Sequence, residues 1–120
     1  MVLHLPFSAS AFVPERKITG YLLSERHPTG REKARFFHGL SFTNARPEQL
    51  RAALLDVARR GILTRILPSR FGSKYVVEGY VNGPEGASAR IRTVWILEPG
   101  SIRPRFVTAY PSPLSKETDR

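Results

Sequence analysis

From Lys74 onward the chain alternates. Lys74, Val76, Glu78 and Tyr80 fall on one side of an extended segment, and Tyr75, Val77, Gly79 and Val81 on the other. That period of two predicts a strand over Lys74–Val81. Asn82-Gly83-Pro84-Glu85-Gly86 is dense in turn residues and closes a hairpin. A second strand, Ala89–Leu97, puts Ile91, Thr93, Trp95 and Leu97 on one side and Arg90, Arg92, Val94 and Ile96 on the other. Both faces are apolar at its end, as in a central strand covered on both sides. After the turn Glu98–Ser101, a third strand spans Arg103–Tyr110, with Phe106, Thr108 and Tyr110 sharing a face. Leu63–Leu67 reads as an edge strand before Pro68 and Gly72.

Upstream the period changes to that of helices. Pro14 suits a first helical position, and Ile18, Tyr21 and Leu22 at i, i+3, i+4 face inward along a helix over Pro14–Leu23, with Gly20 inside it. His27-Pro28 is a break, since the residue before proline avoids helical geometry. Thr29 and Glu32 then have the spacing of a capping box for a second helix, Gly30–His38. Its stripe of Phe36, Phe37 and Leu40 is shared by Lys33, which either snorkels past the rings or aims a cation into a groove. Pro47 opens the third helix, where Leu50, Leu54, Val57 and Ala58 form one apolar face and Gly61 ends it. Residues 1–13 read as an extended arm anchored by Phe7, Phe12 and Val13, and residues 112–120 as a frayed polar tail. The order predicts one α+β domain over residues 1–120, with three N-terminal helices packed on a three- to four-stranded antiparallel sheet.

Charge adds the first functional clue. The 120 residues carry 19 Lys+Arg against 10 Asp+Glu, a net charge of +9, which favours a polyanionic partner. Fifteen of those cations are Arg, and a G+C-rich genome would also enrich arginine. There is no cysteine, so disulfides, thiolate metal sites and cysteine nucleophiles are excluded. No apolar run approaches the ~18–20 residues of a membrane span, and the first residues lack the pattern of a signal peptide. The expectation is a cytoplasmic protein without a membrane partner. His4, His27 and His38 have no acidic neighbours at ligand spacing, so neither a metal nor another cofactor is expected. Phosphate-loop, dinucleotide and serine-hydrolase motifs do not occur.

What remains is basic and polar. His27, Arg31, Lys33 and Arg35 surround the start of the second helix, itself a natural anion site. Lys74, Tyr75, Arg92, Thr93, Thr108 and Tyr110 form a second set across the sheet. Taken singly, each basic residue also fits a solvated surface. Together they suit metal-free cleavage of RNA, in which the 2′-hydroxyl attacks its own phosphate. His27 is then the candidate base. Arg31, Lys33 and Arg92 are the cations for the phosphate, and Tyr75 or Tyr110 stacks a base.

Three segments, HPTGREKARFFHGLSF, GSKYVVEGYVNGPEG and RIRTVWILEPGSIRPRFVTAYP, resemble a bacterial family of domains of unknown function. Its pattern runs HPxGRxKAxFFxxLGF, GxKYxVxGxLxGPxG and RTVWxxxxGxxxPRLVTAYP. The resemblance spans Val13–Pro111, with Ser41 standing where the pattern usually has glycine. The helix-then-sheet order also looks like the barnase–colicin–RelE group of small RNase toxins. That second resemblance implies a site near His27, Arg31, Lys33, Arg92, Thr93, Thr108 and Tyr110. It further implies RNA as substrate and an acidic antitoxin or immunity protein as partner. Two other readings stay open: a non-catalytic module that binds nucleic acid or protein, and an accessory module of a phage or secretion protein.

Overall fold

The computed structural model describes residues 3–28 and 30–112. Its helical part comprises a short turn α1 (Glu15–Lys17), α2 (Arg31–Gly39) and α3 (Pro47–Arg60). Four strands follow: β1 (Ile62–Leu67), β2 (Ser73–Asn82), β3 (Ser88–Leu97) and β4 (Arg105–Pro111). They form an antiparallel sheet in the order β1-β2-β3-β4. The α+β fold read from the pattern is the fold observed. Among the described residues no helix is long and apolar enough to cross a membrane.

The helices cover one face of the sheet. Val77, Val81, Ile91, Thr93, Trp95, Phe106 and Ala109 point into the core against Ile18, Leu22, Phe37, Leu50 and Leu54. Trp95 and Phe106 meet edge to face at 5.4 Å. The one hydroxyl in that wall is satisfied twice. Thr93 Oγ1 donates to the Val77 carbonyl at 2.8 Å and accepts from Trp95 Nε1 at 2.8 Å. A buried polar atom with two partners keeps a dry core free of desolvation cost.

Four local expectations are corrected. First, Pro14–Leu23 is not one α-helix: Pro14 is extended, and Glu15–Lys17 gives way to a π turn over Ile18–Leu22. The wider turn, closed by Leu23 N–H to the Ile18 carbonyl at 2.9 Å, buries Ile18 and Leu22 while leaving Tyr21 half-buried at the rim. Second, Phe106 does not share a face with Thr108 and Tyr110. A bulge opposite Val94 and Trp95 inserts one residue, so Phe106 pairs inward with Trp95 while Thr108 and Tyr110 pair outward with Val94 and Arg92. Third, Phe7 is no anchor: it is 53% exposed with a left-handed φ of 56°, and Leu5 is buried instead. Fourth, Arg103 precedes β4; its guanidinium stacks 4.4 Å from the Phe12 ring, where the arm bridges to Arg105.

The proposed capping box rests on Thr29, and the tail on 113–120; both lie outside the described residues, Ser112 excepted. Lys33 does not simply run into water, since its ammonium lies 5.7 Å from the centre of the Tyr21 ring. Ser41 adopts φ 74°, the conformation that glycine takes without strain, which accounts for glycine in the family pattern at that helix exit.

Candidate functional site

The π turn and the following loop meet the outer edge of β4 in a cleft of about 530 Å³. Its lining is Arg16, Lys17, Gly20, Tyr21, His27, Val107 and Thr108, with no acidic residue among them. Tyr21 is the centre. Its hydroxyl bonds Thr108 Oγ1 at 2.9 Å, its ring meets the His27 imidazole edge to face at 5.0 Å, and the Lys17 ammonium lies 5.2 Å from the ring centre. Lys33 approaches the same ring from α2. Such cation–π contacts are each worth about 0.5–2 kcal/mol, enough to orient the lysines at the cleft. Partial burial lowers the pKa of Lys17; Tyr21 opposes that shift, and Arg105 and Arg16 add to it.

The loop geometry fixes the imidazole. The Gly30 N–H donates to His27 Nδ1 at 3.1 Å, and the Arg31 N–H to the His27 carbonyl at 3.1 Å. A nitrogen that accepts carries no proton, so the neutral ring presents Nε2–H. Gly30 is glycine for a steric reason, because a Cβ there would collide with the Tyr21 carbonyl.

A second polar assembly lies on the uncovered face of the sheet. Glu78 is only 3% exposed. Its carboxylate accepts from Arg92 Nε at 3.0 Å and from Ser112 Oγ at 2.8 Å, and forms ion pairs with Arg92 Nη2 at 3.0 Å and Arg90 Nε at 3.7 Å. The Arg92 guanidinium also lies 6.0 Å from the centre of the Tyr110 ring. Burial works against the Arg92 charge, but hydrogen bonds to Tyr110 and Glu78 outweigh it and raise its pKa.

The sequence-predicted residues therefore divide. His27, Lys33 and Thr108 gather around Tyr21. Arg92 and Tyr110 belong to the Glu78 assembly. Arg31 and Arg35 border a separate cleft of about 500 Å³ with Pro28 and Glu32. Lys74 is exposed on the outer face opposite Leu67 and Ile96, whereas Tyr75 packs inward opposite Trp95. Thr93 is fully buried and tied to Val77 and Trp95, which leaves it no access to a nucleic acid. Sequence reasoning missed Lys17, Tyr21 and Glu78. Glu78 had a signal, as the sole acid among the strand positions of its face, opposite Arg92. Tyr21 had none, because a regular helix turns it inward.

An α+β domain with a basic cleft at one sheet edge is thus the class that fold and site define. The chain belongs to the family described as Domain of unknown function (DUF6883), whose model matches residues 4–113. No curated protein matches it in sequence. A chain solved within a contact-dependent growth inhibition toxin–immunity protein complex from Klebsiella pneumoniae 342 shares the fold. The TM-score is 0.67 at 16% identity, covering 88% of this chain and 97% of that one.

Proposed function

We propose that this domain is a toxin-type endoribonuclease that cleaves RNA at the Tyr21 cleft without a metal ion. The observation that carries the reading is the convergence of Arg16, Lys17, Lys33 and His27 on the Tyr21–Thr108 pair, in a cleft whose lining contains no acid. A phosphodiester is the anion such a lining suits. The fold shared with a chain of a toxin–immunity complex supports the reading at the level of architecture. The net charge of +9 suits both RNA and an acidic immunity partner. The site of action would be the cytoplasm, where RNA is exposed.

The chemistry needs little from the protein. The 2′-oxygen forms a bond to phosphorus, the bond from phosphorus to the 5′-oxygen breaks, and the products are a 2′,3′-cyclic phosphate and a 5′-hydroxyl. Arg16 and Lys33 stabilise the extra negative charge of the pentavalent state. His27 Nε2–H faces the phosphate as a donor; the base role expected for it would require giving up the Gly30 hydrogen bond. Lys17, its pKa lowered by burial, is the base that takes the 2′-proton in its neutral form. A proton returns to the 5′-oxygen from water or from the ammonium that Lys17 has become, while the neutral His27 ring donates only a hydrogen bond.

Purified protein with labelled single-stranded RNA, with and without EDTA, tests this. The expected result is EDTA-resistant cleavage to cyclic-phosphate ends, with a rate that rises with pH about a midpoint below the ordinary lysine pKa. Lys17→Ala removes that rise. RNA left intact under all conditions would sink the reading. Binding without cleavage is the second reading, favoured by the commitment of His27 Nδ1 to Gly30 and of the two hydroxyls to each other. Salt-sensitive binding by a protein that leaves RNA whole would establish it.

A further inference from the structure

The sheet face that the helices leave uncovered is strongly one-signed. Its outward strand positions carry Arg65, Lys74, Arg90 and Arg92, against the single acid Glu78, which is buried beneath two of them. Tyr80 stands on the same face, 62% exposed and directly opposite Arg90. Beside it opens a cleft of about 410 Å³, lined by Arg60, Ile62, Asn82 and Arg90 and, on the acidic side, by Asp56 and Glu78. Its charges balance, so it suits a neutral base better than a phosphate. β1 begins at Ile62, opposite Glu78, so β2 runs on past it from Gly79 to Asn82, and that projecting end forms the cleft wall. On the far side, Tyr110 pairs with Arg92, and Thr108, two residues back on the same face, reaches the Tyr21 cleft.

We infer that this face is a track for single-stranded RNA, with one base stacked on Tyr80 in the 410 Å³ cleft and the backbone led over Arg90 and Arg92 toward the Tyr21 cleft. The inference rests on the reading that the domain acts on RNA, and it names the subsite that selects a nucleotide away from the reacting phosphate. Three features carry it. An exposed aromatic ring on a sheet stacks a splayed base of any identity. Asn82 presents donors and an acceptor at the cleft rim, where a base edge would lie. Glu78 orients the Arg92 guanidinium through a 3.0 Å hydrogen bond, with Arg90 paired at 3.7 Å beside it, and a planar donor fork so held is preorganised for phosphate. β2 and β4 are two strand spacings apart, about 10 Å, so a continuous strand of RNA can reach both tyrosines.

Fluorescence anisotropy with a 2′-O-methyl oligonucleotide, which cannot be cleaved, tests the track apart from the chemistry. Tyr80→Ala should weaken binding by about 10-fold, within the range of one lost base stack, while Tyr80→Phe keeps wild-type affinity. Arg90→Gln should lower the slope of log affinity against log salt by about 0.7, the value of one phosphate contact on a single strand. Wild-type affinity in Tyr80→Ala would overturn the inference and leave the face to a protein partner. The two readings fail separately. If unmodified RNA stays intact but Tyr80→Ala loses binding, cleavage falls and the track stands; if RNA is cut and Tyr80→Ala binds normally, the track alone falls.

Discussion

Two polar assemblies flank β4, and they are built on opposite principles. The Glu78 assembly closes on itself: one buried carboxylate takes hydrogen bonds from Arg92 and Ser112, and Arg90 lies close by. Around Tyr21 the positive groups converge with no acid in the cleft lining. A buried charge without its partner is expensive, so the carboxylate of the first arrangement serves the fold and presets the guanidiniums that flank it. The second leaves its cations at a half-open cleft, where water screens them and an incoming anion would be held. Charge density alone does not separate the two. Where the counter-charge sits does.

The largest effect should come from breaking the closed assembly. Glu78→Ala leaves the half-buried Arg92 without its carboxylate and Ser112 without its acceptor. A loss of about 3 kcal/mol in urea-unfolding stability is expected, the lower end for a broken buried pair. Lys33→Ala, in the open assembly, should cost no more than about 1 kcal/mol, the scale of its exposed cation–π contact with Tyr21. Equal losses in the two variants would erase the distinction.

A smaller effect concerns the inner face. Thr93→Val removes the acceptor of Trp95 Nε1 inside the core, at an expected cost of about 1–3 kcal/mol. RNA affinity should not change, because the hydroxyl faces the core. A weakened RNA complex with unchanged stability would return Thr93 to the set of contacting residues that its position on the strand suggests.

That contrast shows which parts of the molecule were legible in the sequence. Alternation placed β2 and β3 with the correct faces. The end of β3, expected to be covered on both sides, has the helices on one side only, its outward Val94 and Ile96 staying half-exposed. The apolar stripe and Pro47 gave α3 from Pro47 to Arg60. Alternation failed on β4, where one bulge residue reverses every side chain before it, and no residue in Arg-Phe-Val-Thr announces a bulge. Helical periodicity failed on Ile18–Leu22 for a similar reason: a π turn moves Tyr21 off the inward stripe to the rim. The candidate site lies where these two irregularities meet. Regular patterning therefore recovered the scaffold and named three residues beside the candidate cleft, His27, Lys33 and Thr108, but not the Tyr21 they surround.

The finest test separates fold from function within a single residue. The pKa of Lys17 is lower in the folded chain than in the unfolded one, first through burial and further through Arg105 and Arg16. Between the two values the unfolded chain holds more protons, so stability rises with pH across that window, just below the ordinary lysine pKa of about 10.4. Below the window Lys17 is charged in both states, and its charge weighs against folding. Lys17→Met keeps the aliphatic stem over Tyr21 and removes the charge. Thermal unfolding should then show equal or slightly higher stability at pH 7 and a flatter stability profile toward alkaline pH. RNA affinity should fall, with the salt slope reduced by about 0.7. A residue that weakens the fold slightly and strengthens the complex is placed for its ligand. Lower stability in Lys17→Met, with RNA binding intact, would make Lys17 part of the scaffold, and the two assemblies beside β4 would no longer differ in kind.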